Sequence, residues 1–239
     1  MYAFFKESME IKNKSFNEKL FRFRLLLQDD LSDFDTDSFH KLLNDYNDIV
    51  EEYPLDFSEY VSDRELNFLL DLLSPHKIPA LNLSGNKITI EGMKILIEWL
   101  KYQNVEELIL NSNPIGDNGL AELLTALSDN KQLKFLELAC SFTDNGIIPL
   151  ANFLKIDASL QGLSIRVSHN VSELKILHDA LNENKTLTYL RLVEPFSWPR
   201  GKNGKYSKTW DEYQKLKEDI NNLLDRNRQG LGVSQSLMP

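Results

Sequence analysis

The chain has one cysteine, Cys140, so an internal disulfide is excluded and a reducing compartment suits it. No C-x-x-C occurs, and His40, His76, His169 and His178 fall in neither a zinc-ligand spacing nor an i, i+4 pair. No metal and no cofactor is therefore expected. Long hydrophobic runs are missing too: nothing reaches the roughly 18 uncharged apolar residues that a membrane span needs. The opening MYAFFKESMEIKNKS lacks the basic and apolar regions of a secretory signal. Together these predict a soluble, cytoplasmic chain. Positive charge is in deficit, 27 Lys and Arg against 36 Asp and Glu, and the net charge of −9 argues against general nucleic-acid or anionic-membrane binding. Neither G-x-x-x-x-G-K-[ST] nor G-x-G-x-x-G is present. Four N-x-S/T triplets, at Asn13, Asn82, Asn170 and Asn184, are read as chance occurrences rather than glycosylation sites.

What the chain does have is an internal repeat. The run IPALNLSGNKI puts apolar residues at Ile78, Leu81, Leu83 and Ile88 with an asparagine at Asn86, the spacing L-x-x-L-x-L-x-x-N-x-L. VEELILNSNPI repeats it with Val105, Leu108, Leu110, Asn113 and Ile115, and further units open at Leu133, Leu160 and Leu187. After each opening the apolar period changes from two to about 3.6. Met93, Leu96, Ile97 and Leu100 form the first such face, and Leu120, Leu123, Leu124 and Leu127 the second. Ile147, Leu150, Ala151 and Leu154 form the third; Leu174, Leu177 and Leu181 form the fourth. Each unit is thus a strand, a turn and a helix whose apolar side is covered only by its neighbours. Glycines at Gly92, Gly119 and Gly146, expected just before the helices, let adjacent units approach closely or relax the turn; Glu173 holds that place in the fourth unit.

This pattern resembles the ribonuclease-inhibitor-like class of leucine-rich repeats. The resemblance implies an α/β solenoid, a curved parallel sheet on the concave side and helices on the convex side, with helical caps at both ends. It implies that Asn86 and Asn113 bond backbone groups in the turn leaving the strand. The third unit is a residue shorter there, so Cys140 or Ser141 takes that place, Cys140 as a buried, inert thiol. The fourth unit offers Ser168, with His169 and Asn170 behind it.

The domain plan is a helical cap over residues 1–54, repeats over 55–194 and a basic, aromatic loop with a capping helix over 195–229. A flexible tail over 230–239 follows. Within the repeats, 55–77 is a degenerate first unit, pairing Leu55 with Leu81 and Phe57 with Leu83. Helices are expected from about Phe16 to Gln28, from Thr36 to Glu52 behind an Asp35 or Thr36 cap, and from Thr209 to Asn227. The last would bury Tyr213, Leu216, Ile220, Leu223 and Leu224. The run from Asp29 to Glu59 holds eleven acids against Lys41 alone, and reads as a solvated cap face or as a site for a basic partner.

Side chains alternate along a strand, so residues between the core leucines face the concave side. Glu107, Ile109, Phe135, Glu137, Arg166, Tyr189 and Arg191 mix aromatic, apolar and charged groups there, and are the preferred partner-binding site. The competing reading pairs Glu137, Arg166 and Arg191 across neighbouring strands. A second candidate is the loop carrying Trp198, Arg200, Lys202, Lys205 and Lys208, which suits phosphate groups or an acidic partner, or else anchors the last helix. The expected function is a monomeric, non-enzymatic scaffold for a protein partner. Lysine, asparagine and phenylalanine richness with so few repeats also resembles the effectors that intracellular bacteria deliver into host cells, which implies secretion without a classical signal peptide. The alternative is a small-GTPase regulator, because the activating protein of the nuclear-transport GTPase is built from the same class of repeats.

Overall fold

A computed structural model describes residues 2–27, 31, 34–59, 61–140, 142–157, 159–167, 170–194 and 208–232. Three helices open the chain: α1 (Tyr2–Leu26), α2 (Thr36–Asp45) and α3 (Asn47–Glu52). Strands and helices then alternate: β1 (Leu55–Asp56), α4 (Asp63–Leu73), β2 (Ala80–Asn82), α5 (Ile90–Leu100), β3 (Glu107–Ile109) and α6 (Gly116–Leu127). The series continues with β4 (Phe135–Leu138), α7 (Asp144–Ile156), β5 (Gly162–Arg166), α8 (Val171–Glu183), β6 (Tyr189–Val193) and the closing α9 (Lys208–Leu231). The strands form one parallel sheet in the order β1-β2-β3-β4-β5-β6, each beside its predecessor. This is an α/β solenoid of leucine-rich repeats. The inward leucines Leu81, Leu83, Leu108, Leu110, Leu136, Leu138 and Leu163 are all buried, and they share the core with the helix faces named above. At the first unit Leu55 stands beside Leu81, and the Phe57 N–H donates to Asn82 O at 2.8 Å.

The turns after the strands are held by a ladder. The Asn86 amide donates to Phe57 O and Leu83 O at 2.9 Å each, and its carbonyl accepts the Val61 N–H at 2.8 Å. Asn113 does the same one unit on, donating to Leu83 O at 2.8 Å and Leu110 O at 3.0 Å and accepting from Ile88 N at 3.1 Å. Cys140 takes the third rung, its thiol donating to Leu110 O at 3.1 Å, while Ser141 lies outside the described residues. At the fourth rung, Val167 is buried, Ser168 and His169 lie outside the described residues, and Asn170 instead caps α8 by accepting the Ser172 N–H at 2.9 Å.

A second ladder precedes the strands. Asn130, Asp157 and Asn184 each accept two backbone N–H groups, those of Gln132 and Leu133, Ser159 and Leu160, and Thr186 and Leu187. Asn184 is buried, and its amide nitrogen donates to Leu154 O at 2.8 Å, so that triplet is structural.

Gly92, Gly119 and Gly146 sit within the first turn of α5, α6 and α7, not ahead of the helices. At Gly92 and Gly146 the reason is contact with the preceding unit, whereas at Gly119 the crowding atom is Ile115 Cγ2 of its own unit. A Cβ on Gly92 would collide with the Asp63 carboxylate, and one on Gly146 would stand 2.8 Å from Asp117 Oδ1. Those carboxylates are occupied: Asp63 accepts the N–H and hydroxyl of Thr89 at 2.8 and 2.6 Å, and Asp117 accepts the same groups of Thr143. Each aspartate in the first turn of one helix thereby fixes the N-cap threonine of the next. Gly92→Ala should cost about 1–3 kcal/mol in urea unfolding, despite alanine's helix propensity, because the displaced carboxylate abandons Thr89. In an Asp63→Ala background the same change should cost clearly less, leaving only the 2.8 Å approach to Ile88 Cγ2, and equal costs in both backgrounds would refute the mechanism.

Three boundaries differ from the sequence reading. Helix α1 starts at Tyr2 rather than near Phe16, since its first turns contain no glycine or proline and Lys12 pairs with Asp48. The expected helix from Thr36 to Glu52 breaks at Tyr46 (φ −121, ψ 28), whose ring lies 5.5 Å from that of Phe16 and whose hydroxyl accepts a hydrogen bond from Lys19 at 2.7 Å. The predicted cap holds: the Asp35 side chain accepts the Ser38 N–H at 3.0 Å. Helix α9 runs on to Leu231 because its last turns are bonded to the stack. In the interior, Pro79 O, Glu106 O, Lys134 O and Gln161 O each accept N–H groups from the next unit. Thr188 O has no next unit and accepts from Arg228 Nε at 2.9 Å, while Asn227 donates to Leu187 O at 2.8 Å.

Candidate functional site

The parallel register places Glu107 beside Phe135, Ile109 beside Glu137, Phe135 beside Gly162, Glu137 beside Ser164, Gly162 beside Tyr189, Ser164 beside Arg191 and Arg166 beside Val193. All seven proposed residues therefore share the face opposite the core, in adjoining columns. Arg166 and Arg191 are exposed, and Glu107, Ile109, Phe135, Glu137 and Tyr189 are half-buried. Gly162 matters here because it has no side chain. A Cβ at that point would collide with the Phe135 ring, which leans across the glycine towards β6.

Pairing across strands is not how these charges are satisfied. Among the described residues no ion pair joins Glu107, Glu137, Arg166 or Arg191 to another side chain. Glu137 instead accepts the Asn111 amide, and the Asn111 carbonyl accepts the Ala139 N–H at 2.7 Å. Burial first, and the charge of Glu137 second, push the Glu107 carboxyl above the usual carboxylate range. A raised carboxyl destabilises the fold while ionised, and that cost fades as pH falls through the folded value towards the unfolded one. Glu107→Gln should therefore stabilise the chain at pH 7 by less than about 1 kcal/mol, given its partial exposure. The difference should vanish near pH 4 in thermal melts; a destabilised variant at pH 7 would contradict it.

Of the second candidate, Trp198, Arg200, Lys202 and Lys205 lie outside the described residues, and Lys208 is the first residue of α9. The acidic run of the cap is partly neutralised from outside itself, by Lys12 on Asp48, Lys77 on Glu51 and Arg24 on Asp56. Cys140 is buried, and burial raises its thiol pKa, which opposes thiolate chemistry. One pairing escaped the sequence spacing altogether. His40 Nδ1 and His76 Nε2, 36 residues apart, meet at 2.8 Å, and burial followed by His40 lowers the His76 pKa. No third metal-ligating group joins them among the described residues. No described helix is long and apolar enough to cross a membrane.

Comparison with known proteins matches the repeats. A family model described as "Leucine Rich repeat" matches residues 76–96 and 103–124. The human "NACHT, LRR and PYD domains-containing protein 14" is 32% identical over 132 residues, 53% of this chain and 12% of that protein. Its human counterpart numbered 13 is 31% identical over 126 residues, 51% of this chain and 12% of that one. The match thus spans about an eighth of each relative's length. Among solved structures, "Leiomodin-1 Actin-Binding Site 2 (ABS2)" superposes with a TM-score of 0.55 at 18% identity, covering 70% of this chain and 90% of that one, a likeness of fold.

Proposed function

We propose that this stack of leucine-rich repeats is a non-enzymatic scaffold that holds a protein partner against its concave sheet, through Glu107, Ile109, Phe135, Glu137, Arg166, Tyr189 and Arg191. The observation that carries the reading is the state of those side chains. They stand in adjoining columns with their charges unpaired among the described residues, although Arg166 lies diagonal to Glu137 on the neighbouring strand. A solenoid sheet is a rigid platform, so such a surface is preorganised for one partner. Covered ends, α1 to α3 at one and α9 at the other, favour a monomer.

Units of about 27 residues with full helices support membership of the ribonuclease-inhibitor-like class, and the composition supports a partner in a eukaryotic host cell. The alternative role as a GTPase regulator gains nothing from the asparagines that align with that class. Asn86 and Asn113 are 5% and 4% exposed and bonded to backbone, out of reach of a nucleotide. The test is affinity capture from eukaryotic lysate with the wild-type chain and a Phe135→Ala, Glu137→Arg, Arg166→Glu variant. Proteins retained by the wild type should be lost from the variant, and identical sets would overturn the proposal.

A further inference from the structure

Two carboxylates of the concave face stand together without a cation among the described residues. Glu107 and Glu137 are diagonal neighbours on β3 and β4, since Glu107 lies beside Phe135 and Glu137 beside Ile109. Diagonal side chains in a sheet start about 7–8 Å apart, within common reach of one ligand group. Half-buried Ile109 lies between them, an apolar floor. The Phe135 ring leans away over Gly162, and so walls this space on one side rather than filling it. Asn111 holds Glu137 in place from the β3 side.

An acidic pair alone would be an ordinary solvated cluster, but Ser164 adds an independent sign. It is the register partner of Glu137, 2% exposed, and its hydroxyl has no hydrogen-bond partner among the described residues. A hydroxyl shut from water and left unpaired is costly, and a polar group arriving beside it would remove that cost.

We infer that the concave face receives one lysine or arginine side chain of its protein partner between Glu107 and Glu137. The aliphatic stem of that side chain lies over Ile109, the Phe135 ring flanks its cationic head, and the Ser164 hydroxyl is a further acceptor. Long cationic side chains fit such a place because they combine an apolar stem with a charged tip, and an aromatic wall favours the charge. Arg166 and Arg191, one and two strands further on, repel additional bases, so the fit is to a single inserted residue and not to a basic tract. The inference rests on the concave-face reading above and adds the chemistry of the residue that enters it.

The test selects binders of the full chain from a random peptide library and sorts them by their loss on a Phe135→Ala chain. Each Phe135-dependent peptide should carry a lysine or arginine. Replacing that residue by norleucine should weaken binding to the wild type about tenfold or more, yet change nothing on a Glu107→Gln, Glu137→Gln chain. Thermal melts of the isosteric double variant establish that it is folded. Phe135-dependent peptides lacking such a base, or an equal loss on both chains, would overturn the inference and leave the concave-face reading standing. Peptides indifferent to Phe135 would overturn both.

Discussion

Asn113→Ala is expected to cost the fold about 3 kcal/mol, since a buried group left without its partner costs about 1–3 kcal/mol and each further hydrogen bond lost about 0.5–1.5 kcal/mol. The substitution leaves the Ile88 N–H without its acceptor and takes one of two side-chain donors from each of Leu83 O and Leu110 O, which keep Asn86 and the Cys140 thiol. Water cannot replace the amide, because Asn113 is buried beneath its turn. Two units suffer together, for Leu83 belongs to the preceding strand segment and Leu110 to its own. Cys140→Ala removes a single weak thiol donor from Leu110 O and should cost only about 1 kcal/mol. Urea unfolding of the two variants measures the contrast. Comparable losses would mean that the ladder contributes little and that the turns are held by their flanking leucines alone.

Leu136→Ala is the second large effect, about 3–4 kcal/mol, the range for truncating a buried leucine whose surroundings cannot collapse. Leu136 is 1% exposed and lies in register between Leu108 and Leu163, at the centre of the sheet. In a stack whose stability is a sum of units and interfaces, a cavity there weakens the interface on either side. The edge supplies the comparison. Leu192→Ala, on the half-buried last strand, should cost about half as much or less. Hydrogen exchange should then show the Leu136 variant opening between β3 and β5 while the outer units keep their protection. Uniform loss along the sheet would contradict this nearest-neighbour view.

The leucine spacing made the stack legible because burial on a strand and on a helix leaves two different periods, and both recur at the interval of the unit. The outward columns were legible for the same reason: once Leu108 and Leu136 point inward, Glu107, Ile109, Phe135 and Glu137 must point outward. The pre-strand ladder was equally present, as Asn or Asp three residues ahead of Leu133, Leu160 and Leu187, but a polar residue in a turn carries no period of its own until the units are aligned. The roles of Gly92 and Gly146 needed the neighbouring helix, because what excludes a side chain there is an aspartate one unit earlier. The caps were the least readable. Their limits depend on contacts such as Lys12 with Asp48 and Arg228 with Thr188 O, between residues far apart in sequence and with no repeat to betray them.

The staircase order of the sheet also governs how the molecule is assembled. Every strand pairing joins residues 26 to 28 positions apart, as in Leu55 with Leu81, Glu107 with Phe135 and Gly162 with Tyr189, about a tenth of the chain. Loops that short close at little entropic cost, and proteins dominated by such contacts fold quickly for their size. Among the described strands, none has to wait for a distant segment. During synthesis each unit can dock on the one before it as soon as it emerges, so that the sheet lengthens in the direction of translation and α9 closes it when the last repeat is in place.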